Sequence, residues 1–262
     1  MTGEPERVQE LLRAGADPNW RGRTGEPALV LAVHHCPSSL SMLLEAGADP
    51  NARAVDGTPV LVLAARHQSW LGYPLLRAGA DPNSAGPDGE AVLAVALQRA
   101  PHLAWSLVNS GADVNVRSRR GVPSLVLALR ARDSSLALRM LEMGADPRAA
   151  SPDGTTPLML SCRLGDPPIW RTWTRSNGPW RPASLASRLL DERVEMNVSH
   201  TSGLNALTEA IRSGNVSLVR RLLAAGVEVN PAARDSGALT HMAPERARPE
   251  VSRLLRRAGD RR

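Results

Sequence analysis

The 262-residue chain contains no lysine and no phenylalanine, and all 32 of its basic residues are arginine. The missing lysine excludes whole classes of chemistry. A phosphate-cradling Walker loop, a kinase nucleotide site and a pyridoxal Schiff base each need a lysine at a fixed place. Aromatic residues make up only 3% of the chain, six Trp and one Tyr. Two cysteines, Cys36 and Cys162, are too few for a disulfide framework and favour a reducing compartment. No apolar run approaches the roughly 18 residues of a membrane helix, and the N-terminus lacks the charged start and apolar core of a signal peptide. These absences read as an intracellular protein, cytoplasmic or nuclear, neither secreted nor transmembrane. The sequons at Asn197 and Asn215 are then expected to stay unused.

Apolar residues make up 42% and charged residues 22%, which suits a folded chain with a sizeable core. The net charge is +6. Abundant Ala, Gly, Pro and Arg beside absent Lys and Phe are the mark of GC-biased coding, which discounts part of the basic excess.

A repeat organises the whole chain. Gly-Ala-Asp recurs at Gly15, Gly47, Gly79, Gly111 and Gly144, at spacings of 32, 32, 32 and 33, and Gly226-Val-Glu228 continues the series. An Asn follows most of these glycines four residues on: Asn19, Asn51, Asn83, Asn115 and Asn230; Arg148 takes that place once, and Asn197 marks a unit whose Gly has become Arg193. Thirteen residues after each mark stands a small residue: Ala32, Ala64, Ala96, Ala128, Ser161, Ala210 and Ala243. The unit has a physical logic. A glycine after the Leu-Leu run stops a helix in the left-handed region. Asp-Gly closes a tight turn, Thr-Pro opens the next helix, and the small residue lets neighbouring helices approach.

The sequence resembles the ankyrin repeat, G-A-D-V-N followed by D-x-x-G-x-T-P-L and a helix ending in L-L, most closely over residues 151–164 and 203–230. The resemblance implies an all-α solenoid of paired antiparallel helices with β-hairpin or turn fingers, about seven units plus an N-terminal half unit. The half repeat covers 1–18. Full units follow at 19–50, 51–82, 83–114, 115–147, 148–196 and 197–229, and a degenerate capping repeat at 230–262. Hairpin tips are expected near 20–26, 52–58, 84–90, 116–122, 149–155 and 198–204. The Gly-Asn turn between paired helices survives only as Gly214-Asn215, and the first three units are one residue short there. The fifth unit is 49 residues long, and its Trp/Arg-rich insertion falls near 166–181, where Trp170 and Trp173 are candidate recognition residues.

No catalytic, metal-binding or cofactor-binding constellation is legible. His34-His35-Cys36 has no second ligand cluster, and neighbours on a helix point apart. The resemblance implies a non-enzymatic module, scaffold or adaptor, monomeric, with no small-molecule substrate and another protein as its partner in the groove. The alternative is a polyanion, nucleic acid or an anionic membrane surface, drawn by the Arg excess. Two residues past each small residue stand His34, Arg66, Gln98, Arg130, Arg163 and Arg212, a column expected to face the partner. Arg117, Arg119 and Arg120 add cations at the fourth tip, so an acidic or phosphorylated peptide is the expected ligand. Asn115, in a Leu-x5-Asp-Val-Asn frame from Leu107, fits a frame that the resemblance implies is hydroxylated at its asparagine, and is a candidate modification site.

Overall fold

The computed structural model describes residues 5–164, 185–192, 194–195, 197–198, 200–201, 203–229 and 236–259. They fall into two compact bodies, Met1–Leu127 and Ala128–Arg262. The insertion, with Trp170 and Trp173, lies outside the described residues.

In the first body the helices are α1 (Pro5–Arg13), α2 (Ala28–His35), α3 (Leu40–Glu45), α4 (Val60–His67), α5 (Gly72–Arg77), α6 (Val92–Arg99) and α7 (Pro101–Asn109); α8 (Ser124–Arg130) begins at its end. They build two layers. Inner helices pack on inner helices, α2 on α4 and α4 on α6, and each packs on the outer helix that follows it. Outer helices pair likewise, α1 with α3 and α5 with α7. The second body holds α9 (Ser134–Glu142), α10 (Pro157–Leu164), α11 (Leu185–Asp191), α12 (Ala206–Ser213), α13 (Val216–Ala224), α14 (Ser236–Met242) and α15 (Arg248–Gly259). It repeats the scheme: α10, α12 and α14 form the inner layer, and α13 packs on α15.

The inner layer is close-packed because its contact positions are small. Ala64, Ala96 and Ala210 are fully buried, and Ser161, also buried, donates its hydroxyl to the Leu158 carbonyl at 2.8 Å. Leucine and valine fill the remaining space, so the core is almost wholly aliphatic. Between layers the chain crosses a hairpin tip, marked by single antiparallel bridges at Arg21–Pro27, Arg53–Pro59, Ala85–Ala91 and Arg117–Pro123.

The Gly-Ala-Asp-x-Asn motif is a set of interlocking hydrogen bonds. Gly47, at φ 94°, ends α3, a conformation in which any side chain would be strained. Its carbonyl accepts from Asn19 Nδ2 at 3.1 Å, while the Asp49 N–H donates to Asn19 Oδ1 at 2.7 Å. Asp49 Oδ1 in turn accepts from the Asn51 N–H at 2.9 Å, and Asn51 repeats the clasp on Gly79 and Asp81. Asn83 makes it again on Gly111 and Asp113. In the second body the Glu228 N–H donates to Asn197 Oδ1 at 2.9 Å. The sequon asparagines are thus structural, since Asn215 caps α13 by accepting from the Leu218 N–H.

The crossing from inner to outer helix takes two forms. After α2, α4 and α6 the single linking residues Cys36, Gln68 and Ala100 share one backbone conformation, with φ between −143° and −148° and ψ between 66° and 74°. In the second body a left-handed residue and an N-cap replace them: Gly214 with Asn215, and Arg132 with Asp133, whose carboxylate accepts from the Leu136 N–H. The Gly-Asn turn itself stands only at Gly214-Asn215, but its geometry occurs a second time, with Arg132 and Asp133 in the places of glycine and asparagine. Arg132 is the one non-glycine residue at positive φ among those described, at 61°. Replacing Arg132 by Gly is expected to stabilise the fold by about 0.5–1 kcal/mol in chemical denaturation, because the steric cost of a left-handed Cβ disappears. Gly72 gives the opposite test. A Cβ there would lie 2.4 Å from Cδ1 of the fully buried Leu103, so α5 meets α7 only through a bare backbone. Gly72→Ala should cost about 1–3 kcal/mol from overpacking, in spite of alanine's better helix propensity, and lower the denaturation midpoint.

Candidate interaction surface

The column residues sit at the C-terminal ends of the inner helices, His34 on α2, Arg66 on α4 and Gln98 on α6 in the first body. Arg66 is already engaged. Its Nη2 lies 2.9 Å from Asp88 Oδ2 at the next tip, with the side chains only 26% and 20% exposed. Gln98 donates to Glu90 Oε1 at 3.0 Å and to the Ala94 carbonyl. His34 is exposed and stacks edge-on against His67, ring centres 5.6 Å apart.

The second body repeats the arginine arrangement. Arg130 Nη2 lies 2.8 Å from Asp153 Oδ2, and His200 Nε2 approaches the same oxygen at 3.7 Å. Arg163 on α10 and Arg212 on α12 are exposed, and neither makes an ion pair among the described residues.

Each paired tip carboxylate is held the same way: one oxygen accepts from the backbone N–H two residues on, the other from the guanidinium. Asp88 Oδ1 takes the Glu90 N–H and Asp153 Oδ1 the Thr155 N–H. Burial pushes the Asp88 carboxyl up, but the Glu90 N–H and the Arg66 guanidinium outweigh it and hold the group below the ordinary carboxylate range. At Asp153 the same opposition, with Thr155 and Arg130 as donors, again ends below it.

The fourth tip is less free than its three arginines suggest. Arg117 Nη1 donates to the Gly121 carbonyl at 2.8 Å, as Arg21 and Arg53 do to Gly25 and Gly57. Arg119 Nη1 lies 3.7 Å from Asp88 Oδ2. Arg120 is exposed without an ion pair among the described residues. Asn115 is exposed, and its N–H donates to Asp113 Oδ1.

Composition hid a second set of surface residues. Trp20, Trp70 and Tyr73 are 57%, 56% and 40% exposed, and Trp105 is half-buried, so none of the four described aromatic residues lies in the core. Trp70 and Tyr73 stand three residues apart where α4 turns into α5, and Tyr73 and Trp105 occupy equivalent places one period apart. Aromatic scarcity was visible in the sequence; only the filled aliphatic core reveals where the few aromatics go.

The helix pair α12–α13, with its capping box at Asn205 and Thr208 and its left-handed Gly214, lies inside residues 202–236, which match the family model "Ankyrin repeat". The chain carries an ankyrin repeat. No curated protein matches the chain. Ankyrin repeats are in general protein-binding modules without catalytic activity, and no helix among the described residues is long and apolar enough to cross a membrane.

The paired carboxylates imply an acid response of definite sign. A carboxyl whose folded pKa is depressed contributes stability that is full above its unfolded value, about 3.9, and is lost as pH falls through the folded value. Melting temperature should therefore hold from pH 7 to about 5 and fall steeply below about 4. In an Asp88→Asn, Asp153→Asn double variant the neutral-pH melting temperature should be lower and the drop on acidification smaller. An unchanged pH profile would show that the pairs carry no stability.

Proposed function

We propose that the chain is a non-catalytic interaction module, a scaffold or adaptor acting as a monomer in the cytoplasm or nucleus, whose ligand is another protein. One observation carries this reading: among the described residues Trp20, Trp70 and Tyr73 stand in solvent above a core that leucine, valine and alanine already fill. A buried tryptophan removes roughly 150–250 Å² from water. Leaving Trp20, Trp70 and Tyr73 outside forgoes that gain, and Trp and Tyr are the residue types most enriched at binding hot spots. The column at the inner-helix ends lies close in sequence to this set, with Trp70 four residues beyond Arg66.

The charge arrangement favours a protein over a polyanion. Arg66, Arg119, Arg130, Arg139, Arg188, Arg220 and Arg221 each lie within ion-pair distance of an Asp or Glu of the chain itself, which leaves fewer cations for phosphate. Within the column, His34, Arg163 and Arg212 are the side chains best placed to meet a partner.

The immobilised chain should capture a discrete protein from nuclease-treated lysate at physiological salt. Trp70→Ala with Tyr73→Ala should weaken that complex at least about tenfold, with melting temperature unchanged. Capture that vanishes on nuclease treatment would establish the polyanion reading instead.

A further inference from the structure

The column and the tips vary together along the chain. Aligned by the period, each column residue is matched to the residue preceding the next tip glycine, 22 or 23 positions on in the regular units. Arg66 is matched to Asp88 and Arg130 to Asp153, and both pairs form. His34 is matched to Asp56. Where the tip residue is Arg120, the column residue is Gln98, so a like-charge contact is avoided and Gln98 turns to Glu90. At the same 23-residue spacing Arg212 is matched to Asp235, which is followed by Ser236 in the glycine's place and lies outside the described residues. One cation departs from the rule: Arg163 is matched to Ser202, a residue without a carboxylate and likewise outside the described residues.

The tip that carries this position is built like those that carry Asp88 and Asp153. The His200 N–H donates to the Leu204 carbonyl at 2.7 Å and the Gly203 N–H to the His200 carbonyl at 2.8 Å. The same two bonds join Gly86, Glu90 and Gly89, and again Ser151, Thr155 and Gly154. Gly203, at φ 76°, matches Gly89 at 74° and Gly154 at 80°. Helix α10, which bears Arg163, packs on α12 beyond this tip, as α4, which bears Arg66, packs on α6 beyond its own. The two donors that hold a tip carboxylate elsewhere are thus both present. The backbone donor, the equivalent of the Glu90 and Thr155 N–H groups, is that of Leu204, and it has no partner among the described residues. The second donor is the exposed Arg163 guanidinium.

We propose that Arg163 and the Leu204 N–H form an open carboxylate site that takes an Asp or Glu side chain from a protein partner. The ligand class follows from what the same two donors bind elsewhere in this chain: a carboxylate, one oxygen on an N–H and the other on a guanidinium, at 2.8–3.3 Å. The inference rests on the interaction-module reading and names the chemistry of one contact within it.

A chain that supplies its own carboxylate should close the site, so Ser202→Asp is the informative variant. Binding of blocked hexaglutamate, read by fluorescence anisotropy at low ionic strength, should weaken about fivefold in both Ser202→Asp and Arg163→Gln. Ser202→Asp should also raise the melting temperature by about 1–3 °C, which a loosened tip would not do. Arg253→Gln, which removes the same charge from α15, should leave binding unchanged. Equal weakening by all three variants, or by none, overturns the proposal, as does an equal Arg163 dependence with oligothymidylate in place of the peptide. If the hexaglutamate effect is absent while lysate capture still depends on Trp70 and Tyr73, the carboxylate site falls and the interaction module stands. If both fail, both readings fall.

Discussion

The asparagine clasp is the constraint on which the rest of the structure depends. A helix that ends at a left-handed glycine leaves its last carbonyl and the following N–H groups without intrahelical partners. Asn19, Asn51 and Asn83 satisfy one of each in the element that follows, and each does so with a single amide, donor and acceptor together. That reciprocity fixes the separation of successive tips, which in turn fixes the register of the inner helices and the small residues between them. No other side chain of this length offers both functions. The substitution of Arg148 for asparagine removes the acceptor, and the same unit carries Arg193 where the motif elsewhere has glycine. Both halves of the clasp are thus altered at the one unit that hosts the insertion, where strict spacing is no longer required.

Much of this was legible in the sequence because it is periodic and local. The helix that ends at Leu164 and the one that starts at Leu185 bracket the insertion, since helical spacing of leucines stops and resumes there. The tips carry Asp-Gly and Thr-Pro, whose backbone preferences act within a few residues. Arg132 was missed because arginine has no preference for the left-handed conformation that it adopts directly ahead of the N-cap at Asp133.

The column was harder to read. Spacing alone places Arg66, Arg130 and Arg163 at equivalent positions, but it says nothing of whether each guanidinium is spent. The structure separates them: two are held by tip aspartates, and Arg163 makes no ion pair among the described residues. The deciding signal is a residue 22 or 23 positions away, meaningful only once the fold brings that tip beside the helix end. The surface aromatics are hidden more deeply, because their exposure depends on how completely other side chains fill the core.

A net charge of +6 suggests an electrostatic binder, yet what matters is how the cations are distributed. A guanidinium paired at 2.9 Å with a carboxylate in the same chain has committed one of its five directional donors, although its charge still counts in the total. Such pairs tie the tips to the helix ends and leave those arginines fewer donors for ligands. The residual recognition capacity then lies where pairing is incomplete, and directional donors discriminate between ligands far better than diffuse charge. A repeat scaffold makes that discrimination simple to build, because one tip position recurs along the chain and carries an aspartate at Asp88 and Asp153 but an arginine at Arg120.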